Sequence, residues 1–323
     1  MKQKIIFGIV LLIFSSCYYE LSFPNEEISD IVVSSFIAND SLIKVDLLGI
    51  TSVSDFSQKK YITDAEVKLY EDGVFVENLV LESDSYIKNG QKYTVYQYST
   101  KETKAQIGKI YKIDIENPAN KKVSASTIIP NMVALISVDT IFNYTVNDEE
   151  NSMFVEETFK IRFSDPVGEN YYRLTLMKVE GRLDENNNVV LNSQIYSWSY
   201  DQDTIFSYFD EDIENLFYSP SPNSFLIFTD KKIEGQTHEI ELSRSYTNGS
   251  YYGPQKDEFS QYIIELHSIT KEGYTYLRTI DLQKQSSSDQ EPVLSYTNIE
   301  NGIGIFTGYS ASQIIINKGV VSF

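Results

Sequence analysis

"AEVKLYEDGVFVENL", residues 65–79, is the stretch on which the fold turns. Val67 and Leu69 alternate with Glu66 and Lys68, the period of two that a strand with one buried face requires. Asp72-Gly73 then separates two strand-like runs. Both residue types accept the positive φ of a two-residue turn, so the pair predicts a β-hairpin. The alternation recurs in "KIYKIDIE" (109–116), where Tyr111, Ile113 and Ile115 share one face and Lys112, Asp114 and Glu116 the other. "QKYTVYQYST" (91–100) and "KKVSASTIIP" (121–130) add further strands, and Pro130 closes the unit. About seven strands at sandwich-like spacing are expected between residues 30 and 130. Residues 29–130 therefore read as an Ig-like β-sandwich domain.

Residues 131–323 read as a second antiparallel β domain. "ETFKIRFSDP" (157–166) turns Phe159, Ile161 and Phe163 inward and Lys160 and Arg162 outward. "NYYRLTLMKV" (170–179) and "THEIELS" (237–243) are further strands, and "DENNNVV" (184–190) is a polar hairpin tip. Residues 197–225 keep no steady period and read as a long insertion with one or two helical turns. In "SITKEGYTYLRTIDLQKQSSSDQEP" (268–292), Ile269, Gly273, Tyr276, Leu277 and Ile280 fall at helical spacing, which predicts one helix near 268–284. Serines 286–288 end it.

Composition agrees with a mainly β fold. Aromatic residues make up 13% of the chain, with 24 Tyr and 18 Phe, and these favour half-buried strand positions. The formal charge of −19 opposes nucleic acid, whose binding relies on Lys and Arg at phosphates. It opposes anionic lipid surfaces for the same reason.

The N-terminus assigns a place. Lys2 and Lys4 precede an apolar run, Ile5 to Phe14, too short for the roughly 20 residues of a spanning helix. Ser15-Ser16-Cys17 follows. Basic start, short apolar run and small residues describe a secretory signal, and the cysteine after the small pair resembles the lipobox of bacterial lipoproteins. That resemblance implies cleavage before Cys17, which would carry the acyl chains, such as palmitate. Cys17 is the only cysteine in 323 residues, so the mature chain would hold no disulfide. Residues 1–16 are thus a signal peptide, and 17–28, with Pro24 and three acids, a tether. Losing Lys2 and Lys4 takes the formal charge from −19 to −21.

Four stretches resemble a Bacteroidetes-type family of outer-membrane lipoproteins that carry a domain of unknown function. They are "IVVSSFIANDSLIKVDL" (31–47), "ITDAEVKLYEDG" (62–73), "YKIDIENPANKKVSASTIIP" (111–130) and, the most specific, "EPVLSYTNIENGIGIFTGYS" (291–310). Genes of that family commonly lie beside those of TonB-dependent receptors. The resemblance implies a lipid-anchored outer-membrane or cell-surface protein, accessory to such a receptor in nutrient uptake. A structural or adhesive surface lipoprotein is the alternative, and a carboxylate-based glycoside hydrolase a third. After Cys17 the tether holds one early acid, Glu20, which leaves surface and periplasmic display equally open.

No catalytic residue, metal site or cofactor is expected. Gly302, Gly304 and Gly308 lack the spacing of a dinucleotide loop and read as a glycine-kinked strand or bulge. His238 and His267 sit in alternating runs without ligand-type partners nearby in sequence. The dense acids Asp201, Asp203, Asp210, Glu211, Asp212 and Glu214 read as solvated surface, with a calcium loop or catalytic pair as the other readings. Candidate ligand or partner contacts are Trp198, Tyr200 and Tyr208 in the insertion, and Tyr246, Tyr251 and Tyr252 in "SYTNGSYYGP" (245–254). The insertion's aromatics, Phe206 and Phe209 among them, either meet a ligand or fold back as a satellite core. Asn248-Gly249 either shapes a recognition loop, for which tyrosine is well suited, or is a plain hairpin turn.

Overall fold

The computed structural model describes residues 31–50, 60–88, 91–119, 121–147, 152–183, 189–195, 204–206, 224–248, 258–285 and 293–318. The chain is mainly β, as expected. Among the described residues eight strands precede Pro130: β1 (Ile31–Ala38), β2 (Leu42–Gly49), β3 (Glu66–Glu71), β4 (Val74–Asn78), β5 (Val80–Lys88), β6 (Gln91–Lys104), β7 (Ile110–Glu116) and β8 (Lys122–Ile128). Then come β9 (Leu135–Asn147), β10 (Ser152–Ser164), β11 (Tyr171–Leu183), β12 (Val189–Ile195), β13 (Ile227–Thr229), β14 (Thr237–Asn248), β15 (Glu258–Ile269), helix α1 (Lys271–Gln285) and β16 (Ile303–Lys318).

The Asp72-Gly73 hairpin forms as the sequence dictates. Glu71 pairs with Val74, and the two turn residues take φ of 48° and 80°. Val67, Leu69, Tyr111, Ile113 and Ile115 are all buried. In the second half Phe159, Ile161 and Phe163 point inward beside Ile240, Leu242 and Leu174.

One nine-stranded sheet, in the order β12-β11-β15-β16-β1-β2-β6-β5 with β13 also on β11, runs through both halves. A four-stranded sheet, β4-β3-β7-β8, covers one part of it and a three-stranded sheet, β14-β10-β9, the other. Two cores result. The first gathers Ile31, Val33, Ile43, Val45, Tyr98 and Phe306 against β3, β7 and β8. The second packs Tyr172, Leu176, Tyr262, Ile264 and Leu266 against β10 and β14.

Strand β16 joins the two. Ile303 to Tyr309 pair in parallel with Val32 to Ala38 of β1, and Tyr309 to Lys318 pair antiparallel with Ile269 to Ser260 of β15. Residues that the sequence reading allots to the second unit thus complete the first. Two glycines permit this. Gly304 has φ +111°, and a Cβ there would lie 1.9 Å from the Val33 carbonyl oxygen. At Gly308 a Cβ would lie 2.4 Å from the Ile128 carbonyl oxygen, where β8 crosses close by. The glycine-kinked strand read from sequence therefore has a packing cause.

Helix α1 begins after Thr270, whose Oγ1 accepts the Gly273 amide at 3.1 Å and caps the helix. Ile269, despite its helical spacing, ends β15 instead. The apolar side of α1 is narrow. Tyr274 and Leu277 pack on Ile227 and Ile269, flanked by Tyr171, Phe225, Tyr276 and Tyr309, on the outer face of the long sheet. Among the described residues no helix is long and apolar enough to cross a membrane, which says nothing of β-barrels.

Candidate functional site

Of the residues singled out from sequence, Cys17, Trp198, Tyr200, Tyr208, Tyr251 and Tyr252 lie outside the described residues, as do the acids of 201–214. Tyr246 is described. It stands near the end of β14 opposite Val155 of β10, not in the turn, and its ring enters the space between the sheets. Phe206 is also described, within a short 3₁₀ turn at Thr204–Phe206. It is buried edge-on against Phe228 at 5.3 Å, so this part of the insertion folds back onto the second core.

What Tyr246 meets is a buried charge. Glu157 follows the inward parity of Phe159, Ile161 and Phe163, and its side chain is 0% exposed. Arg244 Nη2 contacts its Oε2 at 2.9 Å, and Tyr262 and Tyr246 donate hydroxyls to its Oε1 at 2.5 and 3.3 Å. Lys178 Nζ lies 3.7 Å from Glu157 and 2.7 Å from Glu180. Burial alone would depress Lys178, but the hydrogen bond to Glu180 and the charge of Glu157 hold it above the usual lysine value. Burial and the bond to Glu157 push the Tyr262 hydroxyl strongly upward. Arg244 also lies 4.5 Å over the Tyr246 ring.

Beside this network Lys318, near the end of β16, stands 4.3 Å from the Phe142 ring centroid and 4.5 Å from that of Tyr144. Burial pushes its ammonium down to about 8. The strand ends Asn147, Ser152, Leu183, Asn248, Glu258 and Lys318 all lie at this end of the second sandwich. Tyr246 thus belongs to a buried, charged network at this end of the second sandwich. Sequence reasoning passed over Glu157, although its parity with Phe159 was the signal.

Two other polar groupings were located. On the outer face by α1, Glu265 accepts from Gln313 at 2.8 Å and pairs with His267 at 3.0 Å, while His267 stacks on Tyr309 at 4.9 Å. The bond to His267 holds the Glu265 carboxyl below its usual range. At the opposite end of the second sandwich, Asp165 accepts from Tyr172 at 2.5 Å and from the Gly235 amide at 2.8 Å. Asp230 there accepts the Asn170 amide at 2.7 Å. These bonds tie loops to strands. His238 lies on β14 against Phe163, at 6.2 Å. Among the described residues no three His, Cys, Asp or Glu side chains are placed to hold a metal ion.

Fold and site together define a double β-sandwich built on one shared sheet. The chain belongs to the family whose model is described as "Domain of unknown function (DUF4249)", which matches residues 18–315. No curated protein matches it. A solved structure, "Enterococcal surface protein, partial N-terminal region", is aligned over 88% of this chain and 93% of its own, at 8% identity and a TM-score of 0.16. At that score the likeness carries no argument.

Proposed function

We propose that this protein is a lipid-anchored binding protein of the outer membrane, accessory to a TonB-dependent receptor in nutrient uptake. One observation carries the anchor: the sole cysteine, Cys17, stands directly after the apolar run and the small pair Ser15-Ser16. Two or more acyl chains give stable attachment, which suits a mature chain whose formal charge of −21 repels anionic lipid. Membership of the family supports the uptake role through the resemblance described above. The protein binds rather than catalyses in this reading.

Two measurements test it. Labelling cells with a radioactive fatty acid should mark the wild-type chain and not Cys17→Ser; persistent labelling of the variant removes the anchor. Gentle detergent extraction should bring down a large β-barrel with the lipoprotein. Isolation as a lone monomer under the same conditions refutes the accessory role, and protease treatment of whole cells then reports which side of the membrane the chain faces.

A further inference from the structure

Arg173 is a half-buried cation without a counter-ion. It lies on β11 between Ile227 of β13 and His267 of β15. Its neighbours Tyr172 and Leu174 face the second core, so its own side chain stands on the outer face, beside α1. Nε is fully buried and meets no acceptor among the described residues. Burial holds the guanidinium below its ordinary value, against the opposing pull of Tyr309 and Glu265. Glu265 is near enough to be felt, but its oxygens are taken by His267 at 3.0 Å, Gln313 at 2.8 Å and Thr175 at 3.3 Å. Among the described residues no carboxylate closes on the fork of Arg173.

A second cation shares the place. The centroid of the Phe225 ring lies 6.0 Å from the Arg173 guanidinium carbon and 4.5 Å from Nζ of Lys284, an exposed residue in the last turn of α1. The loop is pinned there by Ser224, whose amide donates to the buried Asp281 of α1 at 3.2 Å and whose hydroxyl donates to the same carboxylate. Asp281 is therefore also engaged. In a chain of formal charge −19, two cations thus meet at one ring with the adjoining carboxylates already occupied. Removing a guanidinium donor from water without an acceptor is costly, and buried donors left so in a folded chain are few. A ligand that brings the acceptor removes that cost.

We infer that Arg173 and Lys284 bind the carboxylate of a small organic acid. The planar fork of arginine matches a carboxylate with two parallel hydrogen bonds. Phe225, Tyr171 and Tyr309, packed along the same side of α1, offer apolar surface to the body of the acid. The inference needs no receptor and no anchor, so its failure and that of the uptake reading are separable.

Nitrogen–proton correlation NMR of the arginine Nε–H groups tests it on the full chain. Benzoate, succinate and inorganic phosphate are titrated over the millimolar range, with chloride holding the ionic strength constant. A saturable shift of one Nε–H resonance is expected with benzoate or succinate, and that resonance should be missing from Arg173→Gln. Should that variant not fold, Arg173→Lys, which keeps the charge and loses the fork, assigns the resonance instead. Lys284→Gln should bind the same acid about fivefold more weakly, the loss of one charged contact, with an unchanged melting temperature. No saturable shift from either acid, a response to phosphate alone, or binding undiminished in Lys284→Gln overturns the assignment.

Discussion

The two sandwiches share a sheet but close their cores differently. The first packs aliphatic and aromatic side chains, from Ile31 and Val33 to Ile113 and Val123, with buried hydroxyls such as Ser99 and Thr100 but, among the described residues, no buried charge. The second is equally apolar over Phe159, Ile161 and Leu266, then ends in the buried network of Glu157, Arg244, Lys178 and Tyr262. An apolar core tolerates trimming by degrees, whereas a paired buried charge punishes loss of one partner because the others stay desolvated. The first sandwich is thus held by surface burial. The second adds a contact that fixes how its sheets meet at one end.

Five substitutions probe this contrast. The largest effect is expected where the halves join: Gly304→Ala would thrust a Cβ to 1.9 Å from the Val33 carbonyl at φ +111°. A loss of about 5 kcal/mol or more is expected, read as disappearance of a cooperative thermal transition. Next, Glu157→Ala should cost about 3–5 kcal/mol, while Ile113→Val in the first core should cost only about 0.5–1.5 kcal/mol. Denaturant midpoints compare them, and equal costs would erase the distinction between the two cores.

Lys318 gives a smaller effect with a sign. Its folded value of about 8 lies below the ordinary 10.5, so folding disfavours its charged form. The penalty is complete below about pH 8 and fades as pH rises towards 10.5, because the unfolded state binds the extra proton over that window. Lys318→Met should therefore stabilise the protein at pH 7 by about 1 kcal/mol, a figure discounted for partial exposure and for the two ring contacts it gives up. The gap to wild type should narrow by pH 9.5, and a gap independent of pH would contradict the account. Smallest of all, Lys122→Ala should move the melting temperature by no more than about 1 °C, since exposed ion pairs contribute little.

Local structure was legible wherever one face of a strand is buried. Val67 with Leu69, Tyr111 with Ile113, and Phe159 with Ile161 each announce a strand because alternation reports burial directly. The helix was legible through Tyr276, Leu277 and Ile280, but its start was not. Ile269 fits both a helical face and the last position of β15, and periodicity alone cannot choose between them. Long-range pairing left no local trace. Nothing in "IGIFTG" says that the strand runs parallel to β1; its glycines told only of a kinked strand or bulge, and the close approach of Val33 and Ile128 behind them came from the fold. Glu157 was missed because glutamate is rarely buried without partners, and its partners Arg244 and Tyr262 stand 87 and 105 residues away. Among the candidate contacts, Tyr246 was chosen for the type of loop it adjoins, and its sequence neighbours said nothing of the network its hydroxyl joins.

The parallel pairing of β1 with β16 has a mechanical consequence. Force applied between the N-terminal side of β1 and the C-terminal end of β16 draws the two strands past one another along their length. The hydrogen bonds that join Val32–Ala38 to Ile303–Tyr309 would then be loaded in shear, all together, and not unzipped one by one. A chain tethered ahead of Ile31 and tugged from beyond Lys318 would meet its stiffest resistance along that seam.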